Sequence, residues 1–245
     1  MASAAARRPT DPPRSVIVLA GGEPITTPLP HALPDPAQVI AADSGLHAAA
    51  PLGLEVDRIV GDLDSVDRDE LERARARGAV VDRHPVDKDR TDLAIALDTA
   101  LALGADDVTV VGGDGGRLDH LLAGVMLLAA PTYARASIRA LMGPAVVTVV
   151  RGTATLTGRE GELVSLLPVH GTAQGVVTRG LRFPLDDEDL PSGSSRGVSN
   201  VLTAPPAEVT LRDGVLLAVQ PGELAPQAHT GSSITHASPD EGAEP

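Results

Sequence analysis

The sequence contains no cysteine and almost no aromatic residues. Without cysteine, disulfides and thiolate metal sites are excluded, and the cytoplasm is the expected location. Tyrosine and phenylalanine occur once each, at Tyr133 and Phe183, and tryptophan is absent. The hydrophobic core must therefore be built from valine, leucine, isoleucine and alanine.

Long apolar runs and excess positive charge are also missing. No run approaches the ~20 residues that a membrane-spanning helix needs. The formal net charge of -13 at pH 7 argues against nucleic acid and anionic membrane surfaces as partners. An enzyme of this composition that binds a polyanion would have to supply metal ions or a local basic patch.

The pattern of the chain changes once. From 15 to 142, short β-branched runs alternate with helical patterns, which predicts an α/β domain with a parallel sheet covered by helices. From 145 to 224, strand-length pieces separated by glycine and proline predict a small antiparallel β-sandwich, with "RDG" at 212–214 as a hairpin signal. Residues 1–14 and 225–245 have few core-forming side chains, so we expect them to be disordered.

Three helices are predicted in the α/β part. The first follows Ser65, which we interpret as its N-cap, and ends at Gly78. The second has apolar residues at helical spacing and ends at Gly104. The third repeats this pattern and is stopped by Pro131.

Aspartates follow the predicted strands of the α/β domain. Asp43 comes after "VIAA", Asp62 and Asp64 after "DRIV", and Asp114 after "VTVV"; the loop "DKDRTD" spans 87–92. Ligands of parallel sheets bind beyond the carboxyl ends of the strands. We therefore expect these acidic loops to meet along one edge.

Two interpretations of the aspartates compete. Any one of them alone is more often a turn residue or helix cap than a ligand. Several on one edge would form a strongly anionic cleft, and carboxylate oxygens suit Mg²⁺, which binds one or two carboxylates together with substrate phosphates. For the cluster as a whole, we predict a magnesium site.

Positive charges occur in the same loops. Lys88 lies within "DKDRTD", where it either neutralises its neighbours or contacts a phosphate, and both interpretations stay open. Arg117 follows "GGDGG", whose glycines let backbone amides approach an anion at a strand-to-helix junction. A tight turn is the alternative, but with Arg117 beside it the run indicates a phosphate contact.

Six short motifs carry a family resemblance. In chain order they are "ADSG" (42–45), "GDLDS" (61–65), "DKDRTD" (87–92), "GGDGGRLDH" (112–120), "GLRFPL" (180–185) and "RGVSN" (196–200). In this order and context they resemble the thiamine pyrophosphokinases (thiamin diphosphokinases). The resemblance implies an α/β nucleotide-binding domain followed by a β-sandwich, and a homodimer. It also implies pyrophosphoryl transfer from ATP to the hydroxyethyl oxygen of thiamine, releasing AMP.

The resemblance also implies roles for individual residues. The implied Mg²⁺ ligands are Asp62, Asp64 and Asp92, which with Lys88 form the implied catalytic group. The residues implied to bind the nucleotide and its phosphates are Asp43, Asp89, Thr91, Gly115, Arg117 and Asp119. Ser199, Asn200 and Phe183 are implied to face thiamine, with Ser199 and Asn200 reaching it across the dimer interface.

Two positions need separate interpretation. Leu63 stands where the family usually has an aromatic residue, which we interpret as a packing change. Phe183 either stacks on substrate or fills the core of the sandwich. Two other functions stay open: a pyrophosphokinase for another heteroaromatic alcohol, such as a hydroxymethylpterin, and a non-catalytic nucleotide sensor. The intact aspartates disfavour the sensor, and "RGVSN" favours thiamine.

Overall fold

The computed structural model describes residues 14–25 and 28–222. Its first seven strands are β1 Ser15–Ala20, β2 Gln38–Ala42, β3 Arg58–Gly61, β4 Val80–Arg83, β5 Asp107–Gly112, β6 Ser137–Met142 and β7 Ala145–Val150. The helices are α1 Arg68–Ala76, α2 Asp92–Ala102 and α3 Leu118–Leu128, with short 3-10 helices at Asp43–Ala48 and Pro131–Tyr133. Apart from Arg14, the terminal segments predicted to be disordered lie outside the described residues.

The second part of the described chain contains only strands and loops. They are β8 Thr153–Leu156, β9 Leu163–Pro168, β10 Ala173–Arg179, β11 Glu188–Leu190, β12 Asn200–Val201, β13 Ala207–Thr210 and β14 Leu216–Gln220. Among the described residues, no helix is both long enough and apolar enough to cross a bilayer.

One ten-stranded sheet runs through both parts of the chain, in the order β12-β9-β14-β7-β6-β5-β1-β2-β3-β4. The segment from β6 to β4 is parallel, and β7 pairs antiparallel with β6. A second, antiparallel sheet has the order β11-β10-β13-β8. The predicted fold class is confirmed. The proposed domain boundary falls in the turn between β6 and β7, inside a continuous sheet.

The parallel strands are buried on both faces, as sheets covered by helices require. In β1, Val16 and Val18 pack with Leu97 on the side of α2 and α3. Ile17 and Leu19 belong to a second core on the side of α1 and the first 3-10 helix. A third core fills the space between the two sheets of the sandwich. These cores fix the ends of β1, β2, β3 and β5, where the acidic loops begin.

The predicted hairpin at "RDG" is wrong. Strand β13 pairs with β8 and β10, whereas β14 pairs with β7 and β9. The turn therefore carries the chain from one sheet of the sandwich to the other. Leu211 and Val215, on either side of it, are both buried in the structure. Burial of these two side chains favours the crossing over a hairpin between adjacent strands.

The predicted N-cap of the first helix is also wrong. The cap is Asp67, whose side chain accepts a hydrogen bond of 2.9 Å from the backbone N–H of Glu70. Ser65 instead donates its hydroxyl to Oδ1 of Asp64 at 2.9 Å. The hydroxyl that the sequence offered as a cap is therefore used to hold the acidic loop. The predicted ends of the helices, including Gly78 and Gly104 at positive φ, agree with the structure.

Candidate active site

The direction in which strands are added to the sheet reverses at β1, between β2 on one side and β5 on the other. Such a switch point opens a crevice beyond the strand ends, where ligands of α/β sheets bind. Glycine-rich loops follow both β1 and β5, and the backbone N–H of Glu23 donates to the carbonyl of Asp114 across them at 3.0 Å. A Cβ on Gly22 would lie 2.6 Å from the same carbonyl. A side chain at position 22 would therefore clash with the loop after β5.

Our sequence interpretation included the glycines after β5 but missed those after β1. The signal was present, because Gly21 and Gly22 follow directly on a buried strand, as the later glycines do. A glycine pair at that position is typical of a backbone that must approach a ligand or another loop.

Three carboxylates meet beyond the ends of β2 and β3. One oxygen from each of Asp43, Asp62 and Asp64 lies within 4.8 Å of the others. Asp43 begins the 3-10 helix after β2, and the other two follow β3 with one residue between them. The acidic loops after these strands therefore meet, as predicted.

Asp43 is the least solvated member of this acidic cluster. Its Oδ1 is buried and has no hydrogen-bond partner among the described residues. Burial raises the pKa of Asp43, and the charges of Asp92, Asp62 and Asp64 raise it further against a backbone hydrogen bond at Ser44 that lowers it. A buried oxygen without a donor, surrounded by like charges, is a group that a divalent cation would satisfy. The cluster therefore fits the expected Mg²⁺.

Lys88 connects the cluster to the next acidic residue. Its ammonium lies 3.0 Å from Oδ2 of Asp62 and 3.0 Å from Oδ1 of Asp92, and its side chain is 13% exposed. Burial lowers the pKa of Lys88, but hydrogen bonds and charge from both carboxylates outweigh burial and raise it. The hydrogen bond from Lys88 in turn lowers the pKa of Asp62. Lys88 and Asp62 are therefore both charged at neutral pH.

Asp92, predicted as a metal ligand, lies beside this group rather than in it. The mutually close oxygens belong to Asp43, Asp62 and Asp64, and Asp92 pairs with Lys88. It is nevertheless near the cluster, since a Cβ on Gly61 would lie 3.0 Å from Asp92 Oδ1 and 3.1 Å from the Cβ of Asp43.

Glycines create the space in which the carboxylates converge. Gly61, the last residue of β3, has a φ of +141°, and a side chain there would push Asp43 and Asp92 apart. Gly45, within "ADSG", packs the 3-10 helix against β1, and a Cβ there would lie 2.1 Å from the carbonyl of Leu19. Both motifs therefore need glycine for reasons of close approach.

The backbone of Leu63 allows the side chains of Asp62 and Asp64, one residue apart, to lie at the same edge of the sheet. Its backbone is left-handed, with a φ of +65°, and its side chain is 6% exposed in the core beneath the loop. A left-handed leucine costs roughly 1–2 kcal/mol, which burial of its side chain offsets. The interpretation of Leu63 as a packing residue agrees with this position.

Arg117 and Asp119 form an exposed pair at the start of α3. Two guanidinium nitrogens of Arg117 donate to the Asp119 carboxylate at 3.1 and 2.6 Å, and the side chains are 71% and 64% exposed. The hydrogen bonds from Arg117 lower the pKa of Asp119 to about 2. These predicted nucleotide contacts thus face solvent and hold each other.

The remaining predicted nucleotide residues have different surroundings. Thr91 caps α2 by accepting a hydrogen bond of 3.2 Å from the N–H of Ala94. Asp89 and Gly115 are exposed, and Gly115 has a φ of +75° in the loop after β5. Gly115 therefore adopts a conformation that favours glycine.

In the second part of the chain, the side chain of Asn200 holds a loop rather than facing solvent. Asn200 is buried; its Oδ1 accepts from the N–H of Phe183 at 3.0 Å and its Nδ2 donates to the Phe183 carbonyl at 2.7 Å. Phe183 itself is 51% exposed, with the Arg182 guanidinium 5.9 Å from its ring centre. Phe183 therefore does not fill the core, and Asn200 keeps it at the surface. Ser199, next to Asn200, is exposed.

These residues and the acidic cluster lie toward opposite edges of the ten-stranded sheet. Six strands separate β12, which begins at Asn200, from β2, which ends just before Asp43. At about 4.8 Å per strand the separation along the sheet is roughly 35 Å. At this separation along the sheet, we expect one small substrate to contact only one of the two groups within one copy of the chain.

A cavity forms a third feature, separate from both groups. It has a volume of about 810 Å³ and lies between the β6–β7 turn and the loop before β9. Its polar lining includes His31, Arg159, Glu160, Glu162 and Gln220, and none of the acidic cluster. Burial lowers the pKa of His31, and nearby Arg139 lowers it further.

A parallel sheet with a glycine-lined switch point, an acidic cluster and adjacent cations defines a class of enzymes that handle phosphate groups. Sequence models of two domains match the chain: the thiamin pyrophosphokinase catalytic domain at 30–140 and the thiamin pyrophosphokinase vitamin B1 binding domain at 153–216. Together they cover more than two thirds of it, and the chain belongs to the thiamin pyrophosphokinase family.

Individual relatives agree with this assignment. The thiamine pyrophosphokinase of Bacillus subtilis is 25% identical over 183 residues, covering 74% of this chain and 86% of the relative. The thiamin pyrophosphokinase structure from Geobacillus thermodenitrificans has a TM-score of 0.71 and 28% identity, covering 86% of this chain and 99% of that one. The Bacillus subtilis structure, at 24% identity and a TM-score of 0.74 over 86% of this chain and 100% of its own, supports the same fold.

Proposed function

We propose that this protein transfers the pyrophosphoryl group of ATP to the hydroxyethyl oxygen of thiamine, giving thiamine diphosphate and AMP. The observation that carries the proposal is the acidic cluster of Asp43, Asp62 and Asp64 with Lys88 beside it, beyond the strand ends of a chain that matches both domains of the family. Its cytoplasmic location remains a prediction.

The reaction needs little covalent help from the protein. The thiamine hydroxyl oxygen forms a bond to the β-phosphorus of ATP and loses its proton. The bond from that phosphorus to the oxygen bridging the α-phosphorus breaks, and AMP leaves with this oxygen. Catalysis of such transfers consists mainly of positioning and of neutralising charge on the transferred oxygens.

The described side chains divide this work between them. Asp43, Asp62 and Asp64 would hold Mg²⁺, which when bound neutralises phosphate oxygens. Asp92 would orient Lys88, whose ammonium adds positive charge next to the metal site. Arg117, at the mouth of the glycine-rich loop, would release Asp119 and turn to the phosphates of ATP.

The wide separation along the sheet supports a homodimer in which each thiamine site is shared. A second copy of the chain would bring Ser199 and Phe183 to the acidic cluster of the first. An exposed apolar stripe on α3, formed by Leu118, Leu122 and Met126, offers a surface for a second copy to cover; these side chains are 67%, 55% and 49% exposed. Uncovered stripes of this kind mark interaction surfaces.

Complementation tests the shared site. A variant that loses the cluster (Asp62→Asn) and a variant that loses the thiamine surface (Phe183→Ala) would each be impaired. When equal amounts are dissociated and reassociated together, half of the dimers carry both variants and have one intact site, so about a quarter of wild-type activity returns. No recovery, or a fully active monomer by light scattering, would contradict the shared site.

Product identification tests the reaction itself. Purified protein is incubated with ATP, Mg²⁺ and thiamine, and the products are followed by phosphorus NMR. We expect AMP and thiamine diphosphate in equal amounts. ADP with thiamine monophosphate would contradict the proposal. If AMP formed only with a hydroxymethylpterin, that alcohol would replace thiamine as the substrate. Nucleotide binding without turnover would favour a sensor.

A further inference from the structure

Three side chains that the proposed reaction does not use connect the Lys88 loop to the interior. The Tyr133 hydroxyl donates to Oδ1 of Asp98 at 3.1 Å. The other carboxylate oxygen of Asp98 pairs with the guanidinium of Arg90. Arg90 lies two residues after Lys88, in the loop between β4 and α2. The connection therefore runs from the 3-10 helix before β6, through α2, to the loop that carries Lys88.

Burial decreases along this connection from its first member to its last. Tyr133 is 2% exposed and packs in the core beneath α2 and α3, while the side chains of Asp98 and Arg90 are 33% and 49% exposed. Burial, followed by the charge of Asp98, raises the pKa of Tyr133 to about 12. The hydroxyl is therefore protonated and can donate across the physiological range. Asp98 receives donors on both oxygens and has one fixed orientation.

A cavity next to the loop leaves room for it to move. The cavity has a volume of about 480 Å³, and its lining includes Lys88, Arg90, Ile95 and Asp98. Close packing would fix a loop by itself, whereas a loop that borders open space depends on its polar contacts. For the stretch around Lys88, the pairing of Arg90 with Asp98 is such a contact.

We propose that Tyr133, Asp98 and Arg90 are positioning residues, which fix the loop so that the Lys88 ammonium stays 3.0 Å from the carboxylates on either side of it. The proposal rests on the proposed pyrophosphoryl transfer, to which Lys88 contributes positive charge. The effect of the three residues on turnover passes through Lys88. It therefore depends on whether Lys88 is present.

A double-mutant cycle tests this dependence. Arg90→Gln is expected to lower kcat by about tenfold with little change in the KM for thiamine, since small displacements of a charged group cost at least this much. Arg90→Lys, which keeps the charge, restores part of the loss. When Lys88→Met is already present, adding Arg90→Gln should lower kcat by less than about twofold, because the two changes remove the same interaction. Equal losses in both backgrounds would overturn the proposal.

Two controls separate positioning from general stability. Arg75→Gln removes a comparable exposed ion pair, with Glu72 on α1, and should leave kcat unchanged. Tyr133→Phe removes only the hydroxyl and its hydrogen bond to the Asp98 carboxylate, and should lower kcat in the same direction as Arg90→Gln, by about threefold or more. An unchanged kcat in both Tyr133→Phe and Arg90→Gln would also overturn the proposal.

Hydrogen exchange gives a readout that does not depend on activity. Amides of residues 84–91 should exchange faster in Arg90→Gln and Tyr133→Phe than in the wild type or Arg75→Gln. If the wild type forms no AMP, the proposed function fails, and exchange alone decides whether the three residues hold the loop. Unchanged exchange in both variants would show that they do not.

Discussion

The two sides of the crevice are built differently. On the side of β2 and β3, Asp43, Asp62 and Lys88 are partly buried; Lys88 lies 3.0 Å from Asp62, and one oxygen of Asp43 lies within 4.8 Å of an oxygen of Asp62. On the side of β5, the side chains of Arg117 and Asp119 are exposed and pair with each other, and Asp119 also accepts a hydrogen bond from the backbone N–H of His120. The first group has its arrangement before any ligand arrives, whereas the second can exchange its internal pair for a phosphate.

From this difference we expect the first side to contribute to turnover and the second to affinity. Preorganised charges act on the transition state without rearrangement, so they contribute to turnover. An exposed arginine that must leave a partner contributes mainly to binding, and its net effect is smaller. Substitutions on the two sides should therefore change different kinetic constants.

The largest effect is expected at the acidic cluster. Asp62→Asn and Asp64→Asn keep size and polarity but remove a carboxylate charge, and each should lower turnover by about a hundredfold or more. Folding should survive, because the amide oxygen of Asp62→Asn can still accept a hydrogen bond from Lys88 and Asp64→Asn removes one negative charge from the cluster. Steady-state kinetics at limiting Mg²⁺ measures the loss, with Asp69→Asn on the exposed start of α1 as the matched control. Near-normal turnover in both variants would refute the assignment.

The next largest effect is expected at Gly61. Gly61→Ala forces a Cβ between Asp43 and Asp92 at 3.0–3.1 Å, so turnover should fall by about tenfold or more as the carboxylates move apart. Gly78 also has a positive φ, of +103°, but a Cβ there would meet nothing within 4 Å, so Gly78→Ala is the control. Both variants should lose roughly 1–3 kcal/mol of stability from the backbone alone, as thermal unfolding can measure. Equal turnover in the two would mean that the space at Gly61 does not matter.

A smaller and different effect is expected at Arg117. Arg117→Gln should raise the KM for ATP by about tenfold, the contribution of one charge-assisted hydrogen bond, and change kcat little. The melting temperature should stay the same, because the side chain is 71% exposed. A variant with lower kcat and unchanged KM would instead place Arg117 with the preformed group.

The smallest effect is expected at Asp119. Its pKa is lowered from 3.8 to about 2, so the stability it contributes is fully present above pH 3.8 and lost as pH falls through 2. Since the pair is exposed, Asp119→Asn should change the melting temperature by less than about 2 °C at pH 7. Melting curves from pH 7 to 2 should converge at the acidic end. A large difference at pH 7 would mean that the pair supports α3.

The sequence predicted the acidic edge well because each aspartate follows directly on a buried strand. Asp43, Asp62 and Asp64 needed only the rule that parallel strands end at one edge. The sequence did not predict that Asp43 would lie closer to Asp62 and Asp64 than Asp92 does. That arrangement depends on the left-handed turns at Asp43 and Leu63, for which neither residue type gives a strong signal.

The sandwich was less predictable than the parallel sheet. The signal at "RDG" describes a local turn, whereas strand pairing there depends on which sheet buries Leu211 and Val215. The bonding of Asn200 to Phe183 joins residues 17 positions apart, which no local pattern shows. Contacts distant in sequence decide both features.

Binding of Mn²⁺, measured from the electron paramagnetic resonance signal of the free ion, separates the two sides of the crevice most directly. The wild-type protein and Arg117→Gln should bind Mn²⁺ with the same affinity in the absence of nucleotide. Asp64→Asn should bind it at least about tenfold more weakly, since a hard anionic ligand is lost. Equal affinity in wild type and Asp64→Asn, or a loss confined to Arg117→Gln, would contradict a metal site formed by Asp43, Asp62 and Asp64.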